Sequence, residues 1–221
     1  MTRATYRVVY HIFQLVRTLF LPKDGRGEGL LGEELLDWVN GVDPGMPPFA
    51  FTPAQAHRVA PNNDQGNEIL QSNPPWEHPA FWPYLQRCIL RGLFKPANTF
   101  LRSLENHPVQ AVKGLASTLA SRLASLPRSH DTSQYRLDHQ FLTAHRQWQM
   151  ALEADLATQP GGRKGRWLSD ELSEMETEFK TVVELMEGKG ERVLAEANDW
   201  REALGAWGLL VDVSMTRDDL P

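Results

Sequence analysis

The sequence predicts an all-α fold, an irregular antiparallel helical stack of the α-solenoid kind with no sheet. Three observations predict it. Apolar residues recur three or four apart along most of the chain, which is the spacing of one helix face. Nowhere do apolar and polar residues alternate as they do in a half-buried strand. Prolines and glycines divide the chain into roughly ten segments of helical character, joined mostly by short connections. No unit of roughly 30 to 45 residues repeats, so the stack is irregular, unlike a tetratricopeptide or ankyrin array.

The segments follow in order. Residues 4–21 read as a helix with a wide apolar face made by Val8, Val9, Ile12, Phe13, Val16, Leu19 and Phe20. Arg7, His11, Gln14 and Arg17 lie mostly off that face, and Pro22 ends the segment. It is free of acidic residues and carries arginines, as an import sequence does, but no small-residue cleavage site follows. The breadth and bulk of its face predict a core helix. Residues 30–40 form the next helix, with Leu31, Leu35, Trp38 and Val39 on one side and Gly41 placed for a left-handed C-cap. Residues 41–76 are a long proline-rich connection with room for two short helices, near 53–59 and 65–71.

Residues 78–105 read as a helical hairpin. Phe81, Tyr84, Leu85, Cys88, Ile89 and Leu93 make one stripe, and Phe100, Leu101 and Leu104 continue it after a break at Lys95-Pro96. Pro96 fits the first turn of the second helix, where a missing N–H costs nothing. Pro79 and Pro83 both lie at the start of the first helix, which places its beginning near Ala80 with Pro83 still in the first turn. The hairpin has more apolar surface than one pair can hide, so it must be an interior layer. Whether Trp82 faces a neighbouring helix or a neighbouring protein is open at this point.

Pro108 opens a helix carrying Val112, Leu115, Ala116, Leu119, Leu123 and Leu126, and Pro127 closes it. Residues 133–156 form a long helix lined by Leu137, Phe141, Ala144, Trp148, Leu152 and Leu156. A basic loop at 159–166 follows. Residues 168–187 set Leu168, Leu172, Met175, Phe179, Val182 and Met186 against an acidic outer face of Asp170, Glu171, Glu174, Glu176 and Glu178, and Gly188 and Gly190 terminate the helix. Residues 191–197 form a short helix with Val193 and Leu194 inward. Asp199-Trp200-Arg201-Glu202 has the form of a capping box, and Trp200, Ala203, Leu204, Trp207, Leu210 and Val211 share one face after it. An apolar last helix with no partner after it predicts that residues 1–221, a single helical scaffold segment, belong to a longer protein.

Composition limits the function. Hydrophobic content of 41% and charged content of 23% are those of an ordinary globular chain, and a net charge of −5 argues against general, direct nucleic-acid binding. No apolar run reaches the roughly 20 residues of a membrane span. Cys88 is the lone cysteine and sits mid-stripe, where burial as a small hydrophobe outweighs reactivity. His139 and His145 are six apart, so they miss the i, i+4 spacing of a zinc pair, and the histidines read as surface or capping residues. No serine sits in GxSxG, and the glycine-rich basic loop lacks the phosphate-cradle pattern. The sequence therefore assigns no catalytic, cofactor-binding or metal residue. The acidic outer face reads as solvated and the basic loop likewise, with a contact to a basic partner or to nucleic acid as the alternatives. Trp82, Trp148, Trp200 and Trp207 read as core or hairpin contacts, one or two of them serving as interface anchors instead.

Four stretches resemble a known family: LLGEELLDWVN (30–40), HPAFWPYLQRCILRGLFKPA (78–97), HQFLTAHRQWQMALE (139–153) and DWREALGAWGLLVDVSMTRDDLP (199–221). In this order they resemble the 85-kDa scaffold nucleoporin family of the Y-shaped nuclear pore subcomplex, the last stretch being closest to filamentous-fungal members. The resemblance implies an ancestral coatomer element, a helical stack folded back on itself. It also implies a non-enzymatic structural role at the nuclear pore in the nuclear envelope, supporting mRNA export and protein import. The implied partners are a WD40-type propeller nucleoporin and other Y-complex scaffold nucleoporins; no cofactor is implied. The chain departs from the family pattern in lacking the N-terminal β segment that completes the propeller and the C-terminal tail helices. The resemblance assigns no individual contact residue. The runner-up reading is a vesicle-coat or HEAT-like adaptor, and the third is an uncharacterised helical enzyme.

Overall fold

A computed structural model describes residues 3–21, 30–42, 63–131, 133–159 and 166–220. Ten α-helices and no strand occur among the described residues. They are α1 (Arg3–Phe20), α2 (Gly32–Val42), α3 (Asn63–Gln71), α4 (Phe81–Leu90), α5 (Phe94–Ser103), α6 (Gln110–Ala124), α7 (Asp138–Ala157), α8 (Ser173–Met186), α9 (Gly190–Glu196) and α10 (Trp200–Ala206). The expected helix at 53–59 and most of the basic loop lie outside the described residues.

The order in space differs from the order in sequence. α1 packs on α2, and α2 packs on α10, then α9 and α8 lead to α4, α5, α6 and α7. The hairpin α4–α5 is the interior layer its surplus apolar surface requires. Phe81, Leu85, Cys88, Ile89, Phe100, Leu101 and Leu104 are all essentially fully buried. Each fully buried leucine or phenylalanine contributes about 1.5–3 kcal/mol relative to exposure, so this layer dominates the stability. Its aromatic rings run in a chain, from Tyr84 stacked on Phe100 at 4.6 Å, through Phe81, to Trp82 edge-on to Phe179 of α8 at 5.0 Å. Trp82 thus faces a neighbouring helix.

The start of α4 follows the proline argument. Ala80 is its N-cap and Pro83 stands in its first turn, where no intrahelical N–H bond is lost. The hairpin break, however, lies at Arg91-Gly92-Leu93 and not at Lys95-Pro96. Gly92 adopts φ +67°, and Pro96 is already the third residue of α5. Other boundaries shift for similar local reasons. α2 runs through Gly41 to Val42, so Gly41 is a helical residue and not a left-handed cap. Pro108 precedes α6, whose N-cap is Val109. α7 starts at Asp138, because Ser133 and Gln134 turn back on the Asp131 carboxylate, leaving Leu137 as an exposed N-cap residue. A separate 3-10 turn, Asp170–Leu172, precedes α8, so Leu168 is buried from outside the helix. Gly188 follows α8 with φ +71°.

Three predicted faces are corrected. α1 does not bury its broad face: Phe13 is 67% exposed and Ile12, Val16 and Phe20 are exposed with it. It packs instead through Leu15 and Leu19 onto Leu31, Leu35 and Met215. Leu194 of α9 is exposed, and only Val193 points inward. Glu176 is not on the outer face of α8. It is 2% exposed and holds Arg166, Lys180 and the Trp167 N–H.

The expected lonely last helix has a partner from the other end of the sequence. α10 continues as a π-helical turn, Trp207–Val211, and Gly208 crosses α2 at Gly32. A Cβ on Gly32 would lie 2.3 Å from the Gly208 carbonyl carbon, so only glycine allows the backbones to approach this closely. The Leu31 N–H donates to the Met215 carbonyl at 3.0 Å, closing the layer.

Candidate functional site

The buried polar groups come first, because chemistry would need them. Arg87 in the last turn of α4 and Arg91, its C-cap residue, both donate to the Glu202 carboxylate of α10. Glu202 is fully buried, and its carboxylate also accepts the Asn198 N–H at 2.7 Å. The capping box is thereby half formed. Asp199 caps α10 by accepting from the N–H groups of Arg201 and Glu202, while the Glu202 side chain turns inward to the arginines. Burial pulls the Arg87 guanidinium down and the facing Glu202 carboxylate pushes it back up. This cluster fixes the crossing of α4 and α10; its charges are mutually committed, which suits a joint and not a reacting centre.

A second lock joins α2 to the 126–131 turn. The Glu33 carboxylate, 5% exposed as a residue, accepts from Arg128 Nε at 2.6 Å and from the N–H groups of Ser129 and His130. Arg122 and Asp155 pair between α6 and α7, where Trp148 Nε1 also donates to the Arg122 carbonyl at 2.8 Å. Neither lock has a sequence signature, because each partner lies far along the chain from the other.

The chemically reactive groups are disarmed by burial. Cys88 is fully buried, and burial pushes its thiol up to about 12, so it stays protonated. Tyr84 beside it is raised for the same reason. His107 is a capping residue, accepting the Val109 N–H at Nδ1. His145 is neither surface nor cap. It lies buried between Phe141 and Trp148, and burial lowers it to about 4. Among the described residues no three histidine, cysteine or carboxylate side chains are grouped to hold a metal. No helix is long and apolar enough to cross a membrane among those residues.

The exposed surface carries a pattern of its own. The outer side of α1 presents Tyr6, Tyr10, Phe13, Val16, Phe20 and Leu21, all exposed. Beside it runs a groove of about 250 Å³ between α1 and α2, with Tyr10, Arg17 and Leu21 on one wall and Glu34, Asp37 and Trp38 on the other. Trp38 is held there by donating Nε1 to the His11 carbonyl at 3.0 Å. Of the four tryptophans read as core or hairpin contacts, with one or two as interface anchors, Trp200 is 65% exposed as the first residue of α10, whereas Trp82 and Trp148 are buried and Trp207 is half-buried. The spacing of α1 suggested one broad apolar face. It did not reveal that Leu15, off that face, packs with Leu19 against Leu31, Leu35 and Met215.

Among the described residues, a helical stack with internal charge locks and an exposed aromatic face has the build of a protein-interaction scaffold. The sequence model of the Nup85 Nucleoporin family matches residues 2–220, and the chain belongs to that family. It is 26% identical over 183 residues to nucleoporin nup85 of Schizosaccharomyces pombe, a match covering 81% of this chain and 24% of that relative. The chain therefore spans about a quarter of the length of the curated relative it matches.

Proposed function

We propose that this chain is a structural segment of the nuclear pore scaffold at the nuclear envelope, acting by protein–protein contact and not by catalysis. The observation that carries the reading is the family match, which runs through every described helix. Supporting it, the buried carboxylates of Glu33 and Glu202 each tie together segments far apart in the sequence. Residues 1–221 act as one helical scaffold segment that includes the proline-rich stretch 41–76. Its partners are a WD40-type propeller nucleoporin and other Y-complex scaffold nucleoporins, and its role supports mRNA export and protein import.

The test is purification of the tagged intact protein from its own cells, with imaging of the same tag. Recovery of propeller and Y-complex nucleoporins, a signal at the nuclear rim and nuclear retention of polyadenylated RNA on depletion are expected. Recovery of vesicle-coat components alone, with a cytoplasmic vesicular signal, would replace this reading with the adaptor.

A further inference from the structure

We infer that α1 and α2 form an exchangeable arm: the seat that holds α2 takes the same arm from a second copy of this chain, so that two molecules join by trading arms. The inference goes beyond the scaffold role and does not depend on it.

The seat reads α2 from end to end, with groups that lie far along the chain. At the first end the Leu31 N–H donates to the Met215 carbonyl, and Gly32 crosses Gly208. Beside them the Glu33 carboxylate accepts from Arg128 Nε and from the N–H groups of Ser129 and His130. Midway, Leu36 lies against Gly205, and at the far end Asn40 Nδ2 donates to the Arg91 carbonyl at 3.0 Å. Leu31, Leu35, Leu36 and Val39 are each 3% exposed or less. α1 travels with α2, held by Leu15 and Leu19 against Leu31 and Leu35 and by the Trp38–His11 hydrogen bond.

This pattern selects the occupant. A glycine crossing, a buried carboxylate on two backbone N–H groups and a terminal amide must all fall in register on one helix. An arbitrary amphipathic helix meets the apolar part and fails the rest, leaving buried donors without their acceptor. The segment that fits is this chain's own, so the partner is a second copy.

None of these contacts requires that arm and seat share a chain. Residues 43–62 separate α2 from α3, and a chain of that length reaches up to about 70 Å. Exchange keeps every contact of the seat, and two arms crossing close a two-fold pair. Within one molecule the tether holds the arm at an effective concentration on the order of millimolar. Unmodified chains at micromolar concentration therefore seat their own arms, and exchange shows when that cis pairing is spoiled.

The experiment uses two variants of the intact protein. Glu33→Lys spoils the arm and leaves the seat; Arg128→Glu spoils the seat and leaves the arm. Each alone should be monomeric by light scattering at micromolar concentration. Mixed, they should form a one-to-one dimer, since the arm of the second fits the seat of the first. Hydrogen exchange in α2 of the Arg128→Glu chain should then slow by about ten-fold or more. A mixture with the mass and exchange of the separate variants would overturn the inference. A second measurement does not need the variants to fold. A protease site is placed within 43–62 of the otherwise unmodified protein. After cleavage the arm should stay bound, and a labelled synthetic peptide of residues 1–42 should replace it. The same peptide with Glu33→Lys should bind about ten-fold or more weakly. An arm that leaves on cleavage, one that the peptide cannot replace, or equal uptake of the two peptides would each overturn the inference.

Discussion

Glu202 is the residue on which two arginines depend. Arg87 and Arg91 are 4% and 3% exposed, and the single carboxylate between them is fully buried. Replacing Glu202 by Gln keeps the shape and removes the charge, leaving two guanidinium groups buried without their counter-ion. The expected loss is about 3–5 kcal/mol in urea unfolding. Glu105→Gln, in an exposed pair with Arg102 at 3.6 Å, should cost under about 0.5 kcal/mol in the same assay. His145 gives a different handle. Its folded value near 4 lies below the ordinary 6.5, so between those pH values the unfolded chain binds a proton that the folded one refuses. Stability is therefore complete above pH 6.5 and falls as the pH drops toward 4, by an amount on the order of 3 kcal/mol. His145→Leu should flatten that part of the stability–pH curve relative to the unmodified protein. None of these roles was legible in the sequence. Arg87 and Glu202 are 115 positions apart, and local spacing says nothing about a partner at that distance.

At the scale of elements, the helices were largely legible and their surroundings were not. The stripe of Phe81, Leu85, Cys88 and Ile89 is buried as its spacing predicts, because a helix with that much apolar surface has one way to hide it. α1 has two apolar sides, so periodicity could not say which side meets α2. Trp200 likewise satisfies the spacing of an inward face yet stands out in solvent, since the Asp199 cap fixes where α10 begins and turns that first residue outward. Glycines in α2 expose the same limit. Gly32 and Gly41 look alike in sequence, but a methyl at Gly32 would strike the backbone of Gly208, and one at Gly41 would meet nothing within 4 Å among the described residues. Gly32→Ala should therefore destabilise by about 2–3 kcal/mol or more, by forcing α2 off α10. Gly41→Ala should leave the fold unchanged or stabilise it by up to about 1 kcal/mol, as expected for an open helical glycine. Thermal unfolding of the two variants side by side separates these outcomes.

For the whole molecule, the fold class and the layering of the central hairpin followed from composition and spacing, while the path of the chain did not. That α2 seats on α10 depends on Gly32 meeting Gly208, on Leu36 lying against Gly205, and on the Leu31–Met215 hydrogen bond. Each is a coincidence of shape between distant segments with no periodic trace. The arrangement makes the two segments mutually dependent. Deleting residues 199–220 should expose Leu31, Leu35 and Leu36 and raise amide hydrogen exchange throughout α2 and at the end of α4 that loses Glu202, while α5 and α6 keep most of their protection. Equal loss of protection in α5 and α6 would show that the stack opens as one unit. The same closure has a mechanical meaning. A pull applied near Arg3 and a pull applied near Leu220 both enter the molecule through the layer of α1, α2 and α10. Tension between them is carried across the α2–α10 seam and is not passed along the backbone through the hairpin. The central layers can stay unstrained while that layer bears the load, and the first thing to yield under force would be the packing of α1 on α2 through the partly buried Leu15 and Leu19.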